Sequence, residues 1–270
     1  MKQSEARVIL SEPAGQGLHL LVLEAPDVAA DAQPGQFMMV RCDGLPLRRP
    51  LSVHAASDEH LALLFHVVGR GTGLLSRLQA GASVSITGPL GRGFTIPAPG
   101  EKVLLMAGGV GIAPLWFLAS RLPEEVDAVF VYGTRTVAER YIMSGRLATH
   151  IPSVGRIDAL RRVDVTDDGS YGERSDACSA TLPYLQWADR VYVCGPLPMC
   201  IAADTAFCGN ASSGAGDRLM EAEVSLETRM ACGVGACYSC SIETKIGRRK
   251  VCVDGPVFRW GDVVWSELVT

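Results

Sequence analysis

Four cysteines near the C-terminus, Cys232, Cys237, Cys240 and Cys252, follow one another as Cys-x4-Cys-x2-Cys-x11-Cys. This order matches the plant-type [2Fe-2S] pattern, in which a loop wraps three thiolates around one cluster and a distant fourth closes it. Gly233, Gly235 and the small Ala236 suit such a loop, because backbone N–H groups must approach the sulfurs and some turns need positive φ. The chemistry this implies is single-electron transfer. Zinc is the first alternative, but structural zinc sites usually show paired knuckles, and here the fourth cysteine stands alone. Disulfides are the second. The odd total of nine cysteines, and a start (Met1–Arg7) unlike a signal peptide, suit a reducing compartment, so a cytoplasmic protein is expected. Cys42, Cys178, Cys200 and Cys208 have no ligand spacing and read as small buried hydrophobes.

The rest of the chain must position this loop and whatever exchanges electrons with it. At 270 residues and 48% hydrophobic content, it can bury cores for two domains and an appendage. A net charge of −4, with no basic stretch longer than Arg248–Lys250, argues against a nucleic-acid partner. Val103–Ser120 is uncharged and long enough to suggest a membrane span. Its interior Gly108-Gly-Val-Gly-Ile-Ala-Pro114 breaks a helix, however, and reads as strand, tight loop and helix in a soluble βα unit.

Three segments emerge. Residues 1–99 carry short apolar runs (Arg7–Leu10, His19–Glu24, Phe37–Arg41, Leu61–Val68, Ser83–Thr87) between Gly and Pro turns, the pattern of an antiparallel β-barrel. Residues 100–216 alternate strands (Val103–Met106, Val126–Tyr132, Arg190–Cys194) with a helix over Pro114–Ser120. That predicts a doubly wound parallel sheet with its ligand beyond the carboxyl ends of the strands. The small polar stretch Cys208–Gly216 has the composition of a linker, and residues 217–270 form the cluster-binding domain. The fold class expected is therefore multidomain, β and α/β.

Two weaker signals lie on the barrel. Arg49-Pro50-Leu51-Ser52 is one, and Gly69-Arg-Gly71-Thr72-Gly73, after the strand ending near Val68, is the other. Each alone is compatible with ordinary hairpin chemistry. In the second segment Gly108-Gly109-Val110-Gly111 has the strand–loop–helix context of a phosphate cradle without the dinucleotide fingerprint's spacing.

Barrel, nucleotide fold and four-cysteine tail, in that order, resemble the ferredoxin reductase superfamily, and more narrowly the electron-transfer subunits of class 1B dihydroorotate dehydrogenases. The resemblance covers nearly the whole chain. It is carried by Pro34–Phe37, Arg48–Ser52, Gly88–Gly91, Gly108–Pro114, Thr166–Ser170, Cys194–Pro196, Val224–Cys232 and Val251–Phe258. It implies one FAD held by Arg49, Pro50, Leu51 and Ser52, by Leu64, Phe65 and His66, and by Gly71 and Thr72. The fixed cationic fork of Arg49 suits the pyrophosphate or flavin edge. Gly71 and Thr72 would offer N–H groups at the mouth of a helix begun by Leu74. A histidine such as His66 on a strand is also an ordinary packed or solvent-facing residue.

The same resemblance makes Gly108, Gly109 and Gly111 the NAD(H) loop, with Gly195 and Pro196 beside the nicotinamide. Cys194 is either a nicotinamide neighbour or a core cysteine. Arg135, after the second strand, keeps NADP(H) open. The resemblance further implies one [2Fe-2S] cluster per chain and a separate FMN-containing subunit that oxidises dihydroorotate, two copies of each chain forming a heterotetramer. Other superfamily electron-transfer modules (ferredoxin:NADP oxidoreductase, sulfide dehydrogenase or hydrogenase type) and a zinc-stabilised, non-catalytic binding module are the competing functions. Phe258, Trp260 and Trp265 form either the core of the small domain or a docking surface.

Overall fold

The computed structural model describes residues 1–208 and 221–268. The linker expected over 208–216 lies outside these residues from Gly209 onward, as does the side chain of Cys208.

Six strands close an antiparallel barrel: β1 (Lys2–Gly15), β2 (Leu18–Glu24), β3 (Phe37–Val40), β4 (Arg49–Ala56), β5 (His60–His66) and β6 (Ser83–Leu90), in the order β1-β2-β5-β4-β3-β6. Gly17 turns the chain from β1 into β2 with φ +73°, a conformation that costs glycine least. All of β2 but Glu24 is buried, because its two faces meet two cores. Leu21 and Leu23 fill the barrel, while Leu18, Leu20 and Val22 pack outward with Trp116, Phe130 and Tyr141 of the next unit. Each such aliphatic side chain taken fully out of water contributes roughly 1.5–3 kcal/mol. β4 was missing from the sequence-based strands because Arg49 and Pro50 open it. Short helices α1 (Pro26–Ala29) and α2 (Arg70–Leu75) lie in the connections.

The second unit is a sheet of parallel strands, β7 (Lys102–Gly108), β8 (Asp127–Thr134), β9 (Arg161–Thr166), the two-residue β10 (Glu173–Arg174) and β11 (Arg190–Cys194). Alternation along the strands sends Val103, Leu105 and Phe130 to helix α3 (Ile112–Ser120) and the barrel. It sends Leu104, Met106, Val129 and Val131 to the opposite face, under α5 (Ala177–Leu185) and α6 (Leu197–Ala203). Helix α4 (Gly145–His150) completes the side facing α3 through Leu147. Helices on both faces make the sheet doubly wound. Val103–Ser120 is thus strand, turn and helix, and no helix among the described residues is long and apolar enough to cross a membrane.

The cluster segment adds β12 (Glu223–Ser225), the small hairpin β13 (Ser241–Ile242) and β14 (Arg249–Lys250), and β15 (Val257–Arg259). β12 pairs with β11 in parallel and β15 with β12 antiparallel, so one seven-stranded sheet, β10-β9-β8-β7-β11-β12-β15, runs across the expected linker. Trp260 (0% exposed), Trp265 (7%) and Phe258 (9%) belong to the core beneath it. Their burial removes the docking role considered for this aromatic group: the rings are core. Trp260 Nε1 donates to Asp204 at 2.9 Å, tying the tail to the segment after α6.

Candidate functional site

The cluster loop spans Cys232–Cys240 and takes its shape from residues with positive φ: Gly233 (+72°), Gly235 (+80°) and Tyr238 (+61°). This folds the backbone around Cys232 Sγ, which accepts the N–H groups of Val234 and Cys237, each at 3.4 Å. The Ser239 hydroxyl stands 3.1 Å from Cys237 Sγ. That contact, the Ser239 N–H and the Cys232 contacts lower the exposed Cys237 thiol to about 6, toward the thiolate a metal requires. Cys252 reaches the loop from the β14 turn. Burial pushes its thiol up to about 12, and the Cys240 and Cys232 thiols beside it act in the same direction.

The four sulfurs therefore share one locality. A [2Fe-2S] cluster spreads four thiolates over two irons. N–H donors aimed at sulfur and a lowered thiol fit the cluster. A methyl group on Gly233 would stand 2.6 Å from Met39 Cγ, so the loop rests directly on the barrel. Met39 in turn pairs with Pro50 across β3 and β4.

At that place β4 begins with the flavin motif. Arg48 is spent structurally, donating to the Ser85 carbonyl at 2.8 Å. Arg49 donates only to the carbonyls of Leu47 and Arg48, and no carboxylate pairs with it among the described residues. A methyl on Gly71 would collide with the Arg49 guanidinium; the two weak signals of the sequence meet side by side. The helix expected to start at Leu74 starts at Arg70 instead. Thr72 causes this, because its hydroxyl accepts the N–H groups of Val68 and Gly69 at 3.0 and 3.2 Å and so caps the first turn. Gly71 and Thr72 lie within that turn, and the Thr72 hydroxyl is used internally. Pro50 and Ser52 are half-buried on the barrel wall. Leu51 and Phe65 point into the barrel core and Leu64 into the core beside α3, leaving backbone as what these three can offer a ligand. The His66 ring lies against the hairpin turn, 3.0 Å from where a Gly17 methyl would be.

The nucleotide loop follows β7 as a single turn over Gly109–Gly111. A methyl on Gly111 would fall on the Cys194 carbonyl, and one on Gly108 would stand 3.1 Å from Pro196 Cδ. These two glycines let the ends of β7 and β11 close on each other, at the point where the sheet's strand order reverses. Gly109 alone has open space on its Cβ side and positive φ, +52°. Gly195 also belongs to this contact, since a methyl on it would stand 3.1 Å from Gly108 N. Burial pushes the Cys194 thiol well above its ordinary range, so it is a packed neighbour of the loop and no thiolate. Arg135 is held by Glu139 through two bonds, Nε to Oε2 at 3.0 Å and Nη2 to Oε1 at 2.6 Å.

Sequence reasoning missed Met39, Ser239 and Glu139. Ser239, a hydroxyl two residues after a ligand, was readable from the letters. Met39 was not, since only the barrel's closure brings it under the loop. Cys42, Cys178 and Cys200 are buried as expected.

Comparison with known proteins agrees with this geometry. The family described as the iron-sulfur cluster binding domain of dihydroorotate dehydrogenase B matches residues 227–264. The chain is 38% identical to the dihydroorotate dehydrogenase B (NAD(+)) electron transfer subunit of Desulforamulus reducens, covering 98% of this chain and 99% of that one. With the subunit of the same name from Clostridium acetobutylicum it shares 33% identity, over 88% of each. Among solved structures it is similar to a chain of the NADH-dependent reduced ferredoxin-NADP oxidoreductase, with TM-score 0.81, 26% identity and coverage of 98% and 92%. It shares the fold of a Neisseria gonorrhoeae ferredoxin NADP+ reductase with bound FAD and NADP, with TM-score 0.61, 17% identity and coverage of 78% and 92%. On this identity and coverage, the chain belongs to the family of dihydroorotate dehydrogenase B electron transfer subunits.

Proposed function

We propose that this chain links dihydroorotate oxidation, carried out by a partner FMN-containing subunit, to reduction of NAD+ in the synthesis of pyrimidines. The single observation that carries this reading is the seating of the cluster loop on Met39, one strand from Arg49 and Pro50. It supports a one-electron site beside the flavin motif, within a chain whose nucleotide loop lies on the adjoining sheet. When bound, the cluster passes single electrons, FAD converts them into pairs, and NAD carries the pair away as hydride.

The residues supply binding and electrostatics. Cys232, Cys237, Cys240 and Cys252 hold the cluster. Arg49, which has no carboxylate partner among the described residues, places its guanidinium where a pyrophosphate or flavin edge is negative, and the first turn of α2 adds backbone N–H groups next to it. Gly108 and Gly111, packed against Cys194, Gly195 and Pro196, and the open Gly109 between them form the NAD(H) side. The Glu139 carboxylate occupies the Arg135 fork that a 2′-phosphate would need, which supports NAD(H) over NADP(H). Val234 (42% exposed), Tyr238 (63%) and Val253 (44%) make an apolar rim around the exposed Cys237. This rim, in place of the buried tryptophans, is the face we assign to the partner, in a heterotetramer of two copies of each chain. Divided by role, residues 1–99 serve FAD, 100–216 NAD and 217–270 the cluster, and the unpaired cysteines suit the reducing cytoplasm.

Anaerobic affinity purification from the native cells tests the proposal. The expected result is brown material with a co-eluting FMN protein that reduces NAD+ with dihydroorotate. Brown flavoprotein that oxidises NADH with a dye but ignores dihydroorotate would move the chain to another complex, such as the ferredoxin:NADP oxidoreductase type. Colourless, zinc-loaded protein would refute electron transfer altogether.

A further inference from the structure

We infer that His54 is a positioning residue that fixes the flavin-binding strand to the helix following the nucleotide loop, through a buried polar link from Ala113 to Tyr141. The inference rests on the FAD and NAD(H) assignments proposed above and adds a residue that neither assignment contains.

The link begins with an irregularity in β4. Leu51 and Val53 face the barrel core, so Ser52 and His54 fall on the outer face. The register against β5 then slips between Val53 and Ala55. This bulge leaves Ala55 outward as well, in the core around α3, before Ala56 returns inward. Bulges of this kind re-aim side chains and cluster near active sites. Here the one extra residue is His54, two positions beyond Ser52 on the strand that carries Arg49.

His54 is 0% exposed, yet both ring nitrogens have partners. Nδ1 lies 3.3 Å from the carbonyl of Ala113, the second residue of α3, and Nε2 lies 2.9 Å from the Tyr141 hydroxyl. A carbonyl can only accept, so Nδ1 carries the proton and Nε2 accepts from Tyr141. Burial keeps the ring neutral, with a pKa near 3. Tyr141 continues the link, since its N–H donates to the Tyr132 hydroxyl on β8 at 3.0 Å. The His54 ring stacks on Trp116 of α3, with centroids 5.9 Å apart, and Tyr141 meets both rings edge-on.

Four elements are thereby joined: β4, α3, β8 and the segment before α4. An apolar contact can slide by a fraction of an ångström at little cost, but a buried hydrogen bond weakens steeply with distance and angle and cannot. The strand bearing Arg49 and Ser52 and the helix following Gly111 are held in a single relation. Hydride transfer between two bound cofactors depends on that relation, because reacting atoms must lie about 3–3.5 Å apart.

The test uses the complete complex carrying FAD and cluster. His54→Phe keeps volume and stacking but removes both hydrogen bonds, and Tyr141→Phe removes one while leaving every other contact. Flavin reduction by NADH is followed by stopped flow, with NADH affinity and FAD content measured alongside. Hydrogen exchange over 49–56 and 112–120 is read on the same samples. We expect reduction slowed by about tenfold or more in His54→Phe, since a misplacement of ~1 Å can cost about a hundredfold. Tyr141→Phe should show a smaller slowing, with FAD content unchanged, NADH affinity within about twofold, and faster exchange in both segments. A merely structural role would lower the melting temperature and leave the reduction rate intact. If both variants reduce FAD within twofold of the parent rate, or if exchange is unchanged, the inference is overturned. If His54→Phe does not fold, Tyr141→Phe decides alone by the same criteria. A parent complex whose FAD is not reduced by NADH would refute the cofactor reading itself, and the inference with it.

Discussion

The burial of His54 makes a quantitative prediction about acid stability. Its ring titrates at the ordinary 6.5 when unfolded and near 3 when folded. Between those values the unfolded chain binds a proton that the folded chain refuses, so stability rises with pH there. The group's contribution is complete above pH 6.5 and is lost as pH falls toward the folded value. From pH 7.5 to 5.5 the loss amounts to about 1.4 kcal/mol, one tenfold change in the folding constant. The groups facing the ring do not blur this: burial raises the Tyr141 and Tyr132 pKa values away from that range. Arg140, Arg162 and Asp164 are joined in ion pairs beyond Trp116.

His54→Phe removes the proton-binding group and leaves the Tyr141 hydroxyl without its partner, while the Ala113 carbonyl keeps its place in the ladder of α3. At pH 7.5 it should be less stable by about 1–3 kcal/mol, the cost of one buried polar group left unpaired. At pH 5.5 the gap should have closed by about 1.4 kcal/mol. Urea unfolding of both proteins, followed by tryptophan fluorescence at the two pH values, measures it. Other groups titrate in both proteins, His19 with its lowered pKa included, and cancel in the difference. A gap that stays constant between pH 7.5 and 5.5 would refute the claim that this ring is held neutral by burial.

Further outcomes follow from the site. Cys237→Ser should lose the brown colour and loosen the tail, because cluster binding supplies folding energy to a short segment; unchanged iron and sulfide content would remove Cys237 from the ligands. Arg49→Ala should lose much of its FAD, and full flavin stoichiometry would take Arg49 out of the site. Gly111→Ala, whose φ of −61° admits alanine, should still cost about 1–3 kcal/mol through overpacking against Cys194. It should also raise the NADH KM with FAD retained; an unchanged KM would separate this contact from nucleotide binding. Glu139→Gln frees the Arg135 fork and should raise the NADPH-to-NADH ratio of kcat/KM by about tenfold, the worth of one charge-assisted hydrogen bond. No rise would mean that another group sets the preference.

The candidate cluster ligands were legible in the letters because a metal loop is nearly contiguous: Cys232, Cys237 and Cys240 sit within nine residues, and their spacing is itself the pattern that marks them. Five of the six barrel strands and the β7–α3 turn were legible for the same reason, each being declared by local periodicity and turn residues, and β4 was not, because Arg49 and Pro50 open it. Tertiary structure decided what depends on distant partners. Gly108 and Gly111 read as a phosphate cradle, yet their missing Cβ atoms make room for Cys194 and Pro196 from another strand end. Trp260 and Trp265 read as core more readily than as a surface, and β12 and β15, carrying the sheet past the linker, cover them. His54 carried no local signal, since a β-bulge is a property of two strands in register. Local spacing fixes what a segment can bind, and long-range register decides which segments meet.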